Sequence, residues 1–465
     1  MRLNLAVSLS ADRIQATRPT TEKQAPKKHN TIQVLDGFRA IAILLVISYH
    51  IEQKNPSFIH KFLHPQIGAP WTFGTSGVNL FFVLSGFLLF MPYARALIFQ
   101  AKWPSIRQFY LRRALRILPA YYIALAIDVV VFQPQYLQPD HWKQLFLFLI
   151  LFMDSTTTTY QQLNGPFWTL AVEWQFYMLL PLVMLGFLFV LKRLKPTPRL
   201  RLGGVLGLCF LLIIYGIVMC YIGGLYAHKP GENIIATIVL DLLYGTNGKY
   251  FENFAIGMAI SGCYIYAQQI QSTFFDQWMK RLSPLILGAG CLILYFAAVW
   301  TFRIANLSKG GAFFLRLALL DNFYSVWAST VIALGYGCCM FALLFGPKIL
   351  RSPLEISFLR NLALISYGLY MWHLPFIIFF HDHILPTLGN LVNERYKLYA
   401  TYWICMFLVA FPIAITSYIF IEKPCIAFSH KKRIQDRKAQ LEQIPTTPML
   451  TVQMQEQSAS SLPSN

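Results

Sequence analysis

The sequence predicts an all-α integral membrane protein of about ten transmembrane helices with both termini cytoplasmic, and three observations carry that prediction. The 465 residues are 56% hydrophobic and only 13% charged, against about 45–50% apolar and about 25% charged in soluble domains. The apolar residues gather in runs of about 20, the length with which a helix crosses about 30 Å of hydrocarbon. The 39 Lys and Arg outnumber the 20 Asp and Glu, and they concentrate on alternate connections between the runs. Ordinary soluble enzymes, disordered chains and disulfide scaffolds are excluded by this balance. The basicity is a topology signal and calls for no nucleic acid.

Residues 1–32 are polar and basic, with Arg13, Arg18, Lys23, Lys27 and Lys28, and read as a disordered cytoplasmic tail. Spans follow near 35–51, 75–99, 110–133, 165–191, 203–226, 250–268, 285–303, 323–345, 362–383 and 399–421. Segments 143–153 and 234–245 are apolar but too short to cross, and read as interfacial or re-entrant pieces. With this drawing, one alternating set of connections holds 26 Lys and Arg and the other holds 10, so the positive-inside rule puts both ends in the cytoplasm. The membrane domain is expected over 33–424. Residues 425–465, basic and then rich in Gln, Ser, Thr and Pro, read as a second tail. The eight cysteines lie in or beside apolar runs without CxxC spacing, so neither a zinc site nor any other metal centre is expected.

Ionisable groups inside spans mark candidate chemistry. The first span, LDGFRAIAILLVISYH, holds Asp36, Arg39 and His50. Asp36, at the end of the span, is equally at home among lipid headgroups. Arg39 and His50 are eleven residues apart, which at 100° per residue is within about 20° of three full turns; one helix face carries both, about 16 Å apart along the axis. They can line one pocket, and an imidazole titrating near neutrality suits a general base. A satisfied structural histidine is the plainer alternative.

Glu173 enters the apolar helix of GPFWTLAVEWQFYMLLPL and needs a partner, for which His50 in the same half of the membrane is the expected candidate. In ISYGLYMWHLPF, Ser366, Tyr370 and His373 stand at i, i+4 and i+7 on one stripe. Pro375 leaves the Met371 carbonyl without its helical donor, a frequent mark of a polar cavity; interhelical hydrogen bonding is the competing explanation. Arg112, Arg113 and Arg116 in YLRRALRILPAYY stand near the start of the third span, where guanidinium groups and a helix N-terminus could seat a phosphorylated donor, or simply meet lipid headgroups. GVNLFFVLSGFLLF, with Ser85 and Gly86 at its centre, reads on its own as a close helix contact.

Taken in order, LDGFRAIAILLVISYH, GVNLFFVLSGFL, RRALRILPAYY, WTLAVEWQFYMLLP, ISYGLYMWHLP and the closing FIEKP resemble the acyltransferase 3 family of integral membrane acyltransferases, over residues 33–424. The resemblance implies transfer of an acyl group, acetyl above all, from cytoplasmic acyl-CoA to a hydroxyl of a carbohydrate or glycolipid acceptor at the plasma membrane. Acyl-CoA is then a co-substrate and no bound cofactor is implied. Arg39 and His50 correspond to the Arg and His of the family's first-helix motif, with Glu173 and His373 in later motifs. Two positions depart from the pattern: Asn79 stands where the family commonly has Asp, and Trp174 follows Glu173 where a second acidic residue is frequent.

On this reading His50 is the base and Glu173 orients it or balances its charge. Arg39, Arg112, Arg113 and Arg116 grip the coenzyme phosphates, and Ser85, Tyr370 and His373 line the pocket on the acceptor side. The residues equally allow His50 to carry the acyl group covalently. The competing class is a transporter or flippase, for which repeated halves and matched broken helices would be the sign; neither is visible in the sequence.

Overall fold

Apolar run length dictates the architecture. The computed structural model describes residues 32–54, 73–226, 239, 241–305, 323–388, 395–429 and 431–432; most of the expected tails and much of the 234–245 segment lie outside them, but residues 425–429, expected in the second tail, continue the last helix to Ser429. The described residues are overwhelmingly helical, without a strand. The long helices are α1 (Gln33–Lys54), α2 (Ser76–Phe99), α3 (Ile106–Ile127), α5 (Phe167–Leu191), α6 (Pro198–Tyr226), α7 (Phe251–Ile270), α8 (Thr273–Ala305), α9 (Tyr324–Phe345) and α10 (Ser357–Phe379). A last span runs from α11 (Arg395–Cys405) through a π-helical turn, Met406–Ala410, into α12 (Phe411–Ser417). The expected interfacial piece is the short helix α4 (Trp142–Leu149).

Among the described residues, nine helical stretches are long and apolar enough to cross a membrane, and the chain is a multi-pass membrane protein. The expected span at 250–268 is the one that differs. It forms a helix, α7, but Glu252, Asn253, Gln268 and Gln269 dilute its apolar content, so it falls outside the nine. A buried helix surrounded by protein can carry such groups, because its neighbours and not lipid satisfy them. Helix α8 starts at Thr273, twelve residues before the expected 285, because its first turns carry Asp276, Lys280 and Arg281. The apolar run marks the stretch fit for hydrocarbon, and the helix continues beyond it.

Small residues set the closest contacts. A Cβ added to Gly86 of α2 would stand 2.1 Å from the Phe254 carbonyl oxygen, and one added to Gly257 of α7 would stand 2.0 Å from that of Val83. The two backbones touch there as small residues allow in membrane bundles. Phe254 then stacks on Phe176 of α5, with centroids 3.8 Å apart and planes 9° apart. Helix α7 thus packs against α2, α6 and α9, while α1 packs against α2 and α10. These contacts bring α1, α2, α3, α5 and α10 around one polar interior.

Candidate active site

The polar interior consists of two adjoining cavities. The first, of about 90 Å³, takes Arg39 from α1, Ser85 from α2, Arg113 and Arg116 from α3, Thr169, Glu173 and Tyr177 from α5, and Ser366 and Tyr370 from α10. The spacings explain the convergence: 113 and 116, 169, 173 and 177, and 366 and 370 are i, i+3 or i, i+4 sets, each on one helix face. Glu173 Oε1 accepts hydrogen bonds from the Ser85 hydroxyl at 2.5 Å and from the Tyr177 hydroxyl. The Arg113 guanidinium stands 5.7 Å over the Tyr177 ring, and Arg39 Nη1 pairs with Asp36 at 3.2 Å. This is a narrow, cationic cavity whose one carboxylate is already engaged by two hydroxyls.

The second cavity is wide, about 560 Å³, and aromatic. Its walls include Tyr49, His50 and Gln53 of α1, Asn79 of α2, Tyr160, Trp168, Asn247, Tyr250 and Ser329. Trp168 lies between Tyr160 and Tyr250, at 5.5 and 5.7 Å between ring centroids. Burial pushes the Tyr160 hydroxyl up to about 12, so it keeps its proton and remains a donor. Val78 and Tyr370 line both cavities; Tyr370, its hydroxyl 2.5 Å from that of Thr169, stands at the junction.

His50 Nδ1 lies 3.0 Å from Gln53 Oε1, whose amide nitrogen donates to the Tyr49 hydroxyl at 2.7 Å. The His50 ring faces that of His373, with centroids 5.1 Å apart. His373 is fully buried, and its Nδ1 is 3.0 Å from the carbonyl oxygens of both Leu369 and Tyr370. The Met371 carbonyl, without a helical donor because of Pro375, accepts from Asn164 Nδ2 at 3.0 Å, and Asn164 also donates to Asp128 at 3.1 Å.

Four expectations need correction. His50 and Glu173 do not pair: Glu173 is held by Ser85 and Tyr177 in the narrow cavity, while His50 is held by Gln53 in the wide one. A shared half of the membrane does not decide which helix faces meet. Arg39 and His50 share a face of α1, yet they line two joined cavities and not one pocket, because about 16 Å of helix separates them. Of the three clustered arginines, Arg113 and Arg116 line the narrow cavity and Arg112 lines neither. Helix α3 begins at Ile106 with Ser105 as its cap, the serine hydroxyl accepting from the Gln108 amide at 3.4 Å. That is seven residues before Arg113, so the helix terminus, whose field fades within the first turn, does not reinforce these cations. Ser85, expected on the acceptor side, lies among the arginines.

Two buried networks beside the wide cavity carry no pattern in the sequence. Ser329 donates to Glu252 Oε1 at 2.8 Å and accepts from Asn79 Nδ2 at 3.1 Å, and a Cβ at Gly216 would stand 2.4 Å from Glu252 Oε2. Lys249 pairs with Asp154 and donates to Gln175 Oε1 at 2.8 Å, and Gln175 Nε2 donates to Asp154 Oδ1 at 2.7 Å. No periodic spacing links these residues; their only sequence signal is charge beside apolar runs. Among the described residues no cluster of three or more His, Cys, Asp or Glu could hold a metal ion.

A family model described as an acyltransferase domain, that of the acyltransferase 3 family, matches residues 32–419. The peptidoglycan O-acetyltransferase OatA of Listeria monocytogenes is 26% identical over 422 residues, covering 84% of this chain and 55% of that protein. The O-acetyltransferase OatA of Staphylococcus aureus is 24% identical over 445 residues, covering 86% of this chain and 59% of that protein. The chain thus spans a little over half the length of these relatives. No solved structure matches.

Proposed function

The chain belongs to the acyltransferase 3 family, and from that premise we propose that it is a membrane-embedded O-acyltransferase. It moves an acyl group, acetyl by the names of its relatives, from cytoplasmic acyl-CoA to a hydroxyl of a surface carbohydrate, with His50 as general base. The observation that carries the reading is the junction at Tyr370. A narrow cavity with three guanidinium groups meets a wide one with an imidazole and a row of aromatic rings. An acyl thioester on a phosphorylated coenzyme suits the first, since guanidinium groups bind phosphate oxygens in pairs. A sugar suits the second, which offers flat apolar rings together with amides and hydroxyls.

In this scheme both ends of the chain are cytoplasmic, the tails precede α1 and follow Ser429, and the domain between them does the chemistry. Arg39, Arg113 and Arg116 hold the donor, and Arg112 guides it electrostatically from outside the cavity. Glu173 balances their charge and orders Ser85 and Tyr177. The acceptor hydroxyl approaches from the wide side, where His50 takes its proton as the oxygen attacks the thioester carbon. Tyr370 and His373 border the point of transfer.

The test is transfer of radiolabel from acetyl-CoA to a crude surface-glycan extract by purified protein in liposomes, wild type beside His50→Ala. Label entering glycan with wild type only is the expected result. A wild type that releases no thiol with any acyl-CoA or acceptor overturns the activity; a His50→Ala protein as active as wild type overturns the site.

A further inference from the structure

We propose that His373 is a positioning residue for the transfer, a second imidazole packed against the His50 ring whose bare lone pair stabilises His50 in its protonated form. The proposal rests on the acyltransferase reading above and adds a role that the reading does not need.

The tautomer of His373 follows from its partners. Its Nδ1 faces two backbone carbonyl oxygens, of Leu369 and Tyr370, each at 3.0 Å. Carbonyl oxygens only accept, so Nδ1 carries the proton and Nε2 keeps a lone pair. That Nε2 is buried and has no hydrogen-bond partner. An acceptor left bare in the interior is costly, so a group that offers it a proton is stabilised there. The ring it faces belongs to His50, 5.1 Å away between centroids and tilted by 45°.

His50 is arranged in the complementary way. Gln53 Oε1 accepts from its Nδ1, so Nε2 is the nitrogen left to take a proton. No carboxylate among the described residues bonds to either ring; Glu173 is occupied by Ser85 and Tyr177. Tyr49 and Tyr370 are the other titratable side chains whose rings meet the pair, at 5.1 Å from His50 and 5.8 Å from His373. A base that becomes cationic in a desolvated site needs a neighbour that stabilises the cation. Gln53 Oε1 is one such neighbour, at Nδ1, and the lone pair of His373 is a second.

The step balances without a further reagent. The acceptor O–H bond breaks as its oxygen bonds to the thioester carbon, and the proton passes to His50 Nε2. The C–S bond breaks and sulfur leaves with the electron pair as thiolate. His373 Nε2 accepts a hydrogen bond from the His50 imidazolium until that proton passes to the thiolate, giving ester and free thiol.

The experiment compares wild type, His373→Phe and His373→Gln, full length in liposomes with acetyl-CoA and glycan extract. His373→Phe is expected to lower kcat about 100-fold, the low end for a proton-transfer group, with KM for acetyl-CoA unchanged. His373→Gln, whose side-chain oxygen still accepts, should recover part of the loss. A second readout is independent of turnover: modification of His50 by diethyl pyrocarbonate, followed on its peptide by mass spectrometry across pH. Loss of His373 destabilises the protonated ring, so the midpoint of His50 reactivity moves to lower pH in His373→Phe and returns toward wild type in His373→Gln. Wild-type kcat in His373→Phe, or an unmoved midpoint in the folded variants, overturns the proposal. If His50→Ala abolishes transfer while His373→Phe behaves as wild type, the acyltransferase reading stands and this inference falls.

Discussion

The narrow and wide cavities are built on opposite principles. In the narrow one, about 90 Å³, the charges are settled before any ligand arrives: Arg39 with Asp36, Glu173 with two hydroxyls, Arg113 over the Tyr177 ring. In the wide one, about 560 Å³, the polar groups are neutral amides, hydroxyls and an imidazole set among aromatic rings. Preorganised charge suits a ligand of fixed chemistry, because the cost of arranging it is met during folding. Open aromatic space suits a ligand whose shape varies. The donor in the proposed reaction is one molecule, and the acceptor is a carbohydrate that can vary in its sugars and linkages.

That contrast breaks most sharply at His50. His50→Ala removes the base while leaving the narrow cavity intact, so transfer should fall by about 10²–10⁴-fold, the usual contribution of a positioned base, while acetyl-CoA still binds. Equilibrium binding of labelled acetyl-CoA beside the transfer assay checks both halves. A variant that loses binding as well would show that the two cavities are not separable.

The next effect is on stability and concerns the wall of the wide cavity. Lys249 and Asp154 are almost wholly buried, with side chains 5% and 3% exposed, and they tie the stretch before α7 to the stretch before α5. Lys249→Met leaves a buried carboxylate without its cation, which costs about 3–5 kcal/mol. The melting temperature of the solubilised protein should drop accordingly. Adding Asp154→Leu should restore much of it, since an apolar pair of similar volume removes the uncompensated charge. A double variant no more stable than the single one would contradict the ion-pair account.

The sequence disclosed different amounts of the two cavities, for physical reasons. Run length located nearly every helix, because hydrocarbon thickness fixes it. The 3.6 period put Arg39 and His50 on one face. Pairings between helices were another matter. How closely α2 meets α7 depends on Gly86 and Gly257, and which face of α5 meets α2 is likewise set by packing, so Glu173 is expected beside His50 when Ser85 and Tyr177 hold it. The distinction between Arg112 and Arg113 needs the rotation of α3 against its neighbours. Lys249 and Asp154 lie 95 residues apart, and no local pattern relates them.

On the donor side, Arg113→Ala and Arg116→Ala each remove a charge-assisted contact, worth about 1.5–3 kcal/mol. KM for acetyl-CoA should rise about 10- to 150-fold with kcat nearly unchanged. Arg112→Ala, outside the cavity, should move KM much less and mainly alter its dependence on salt. Equal effects at all three positions would mean that the arginines act as a diffuse field and that the cavity does not select among them.

The smallest effect sharpens the comparison from the acceptor side. Trp168 sits between Tyr160 and Tyr250, and as an aromatic contact it should be worth about 0.5–1.5 kcal/mol beyond area burial. Trp168→Ala should therefore raise KM for the glycan acceptor about 2- to 12-fold, while KM for acetyl-CoA stays at its wild-type value. Steady-state kinetics with each substrate varied in turn separates the two. Because the aromatic row faces only the wide cavity, a rise in the acetyl-CoA KM would place the donor there, reverse the assignment of the two cavities, and leave the arginines to hold an anionic acceptor instead.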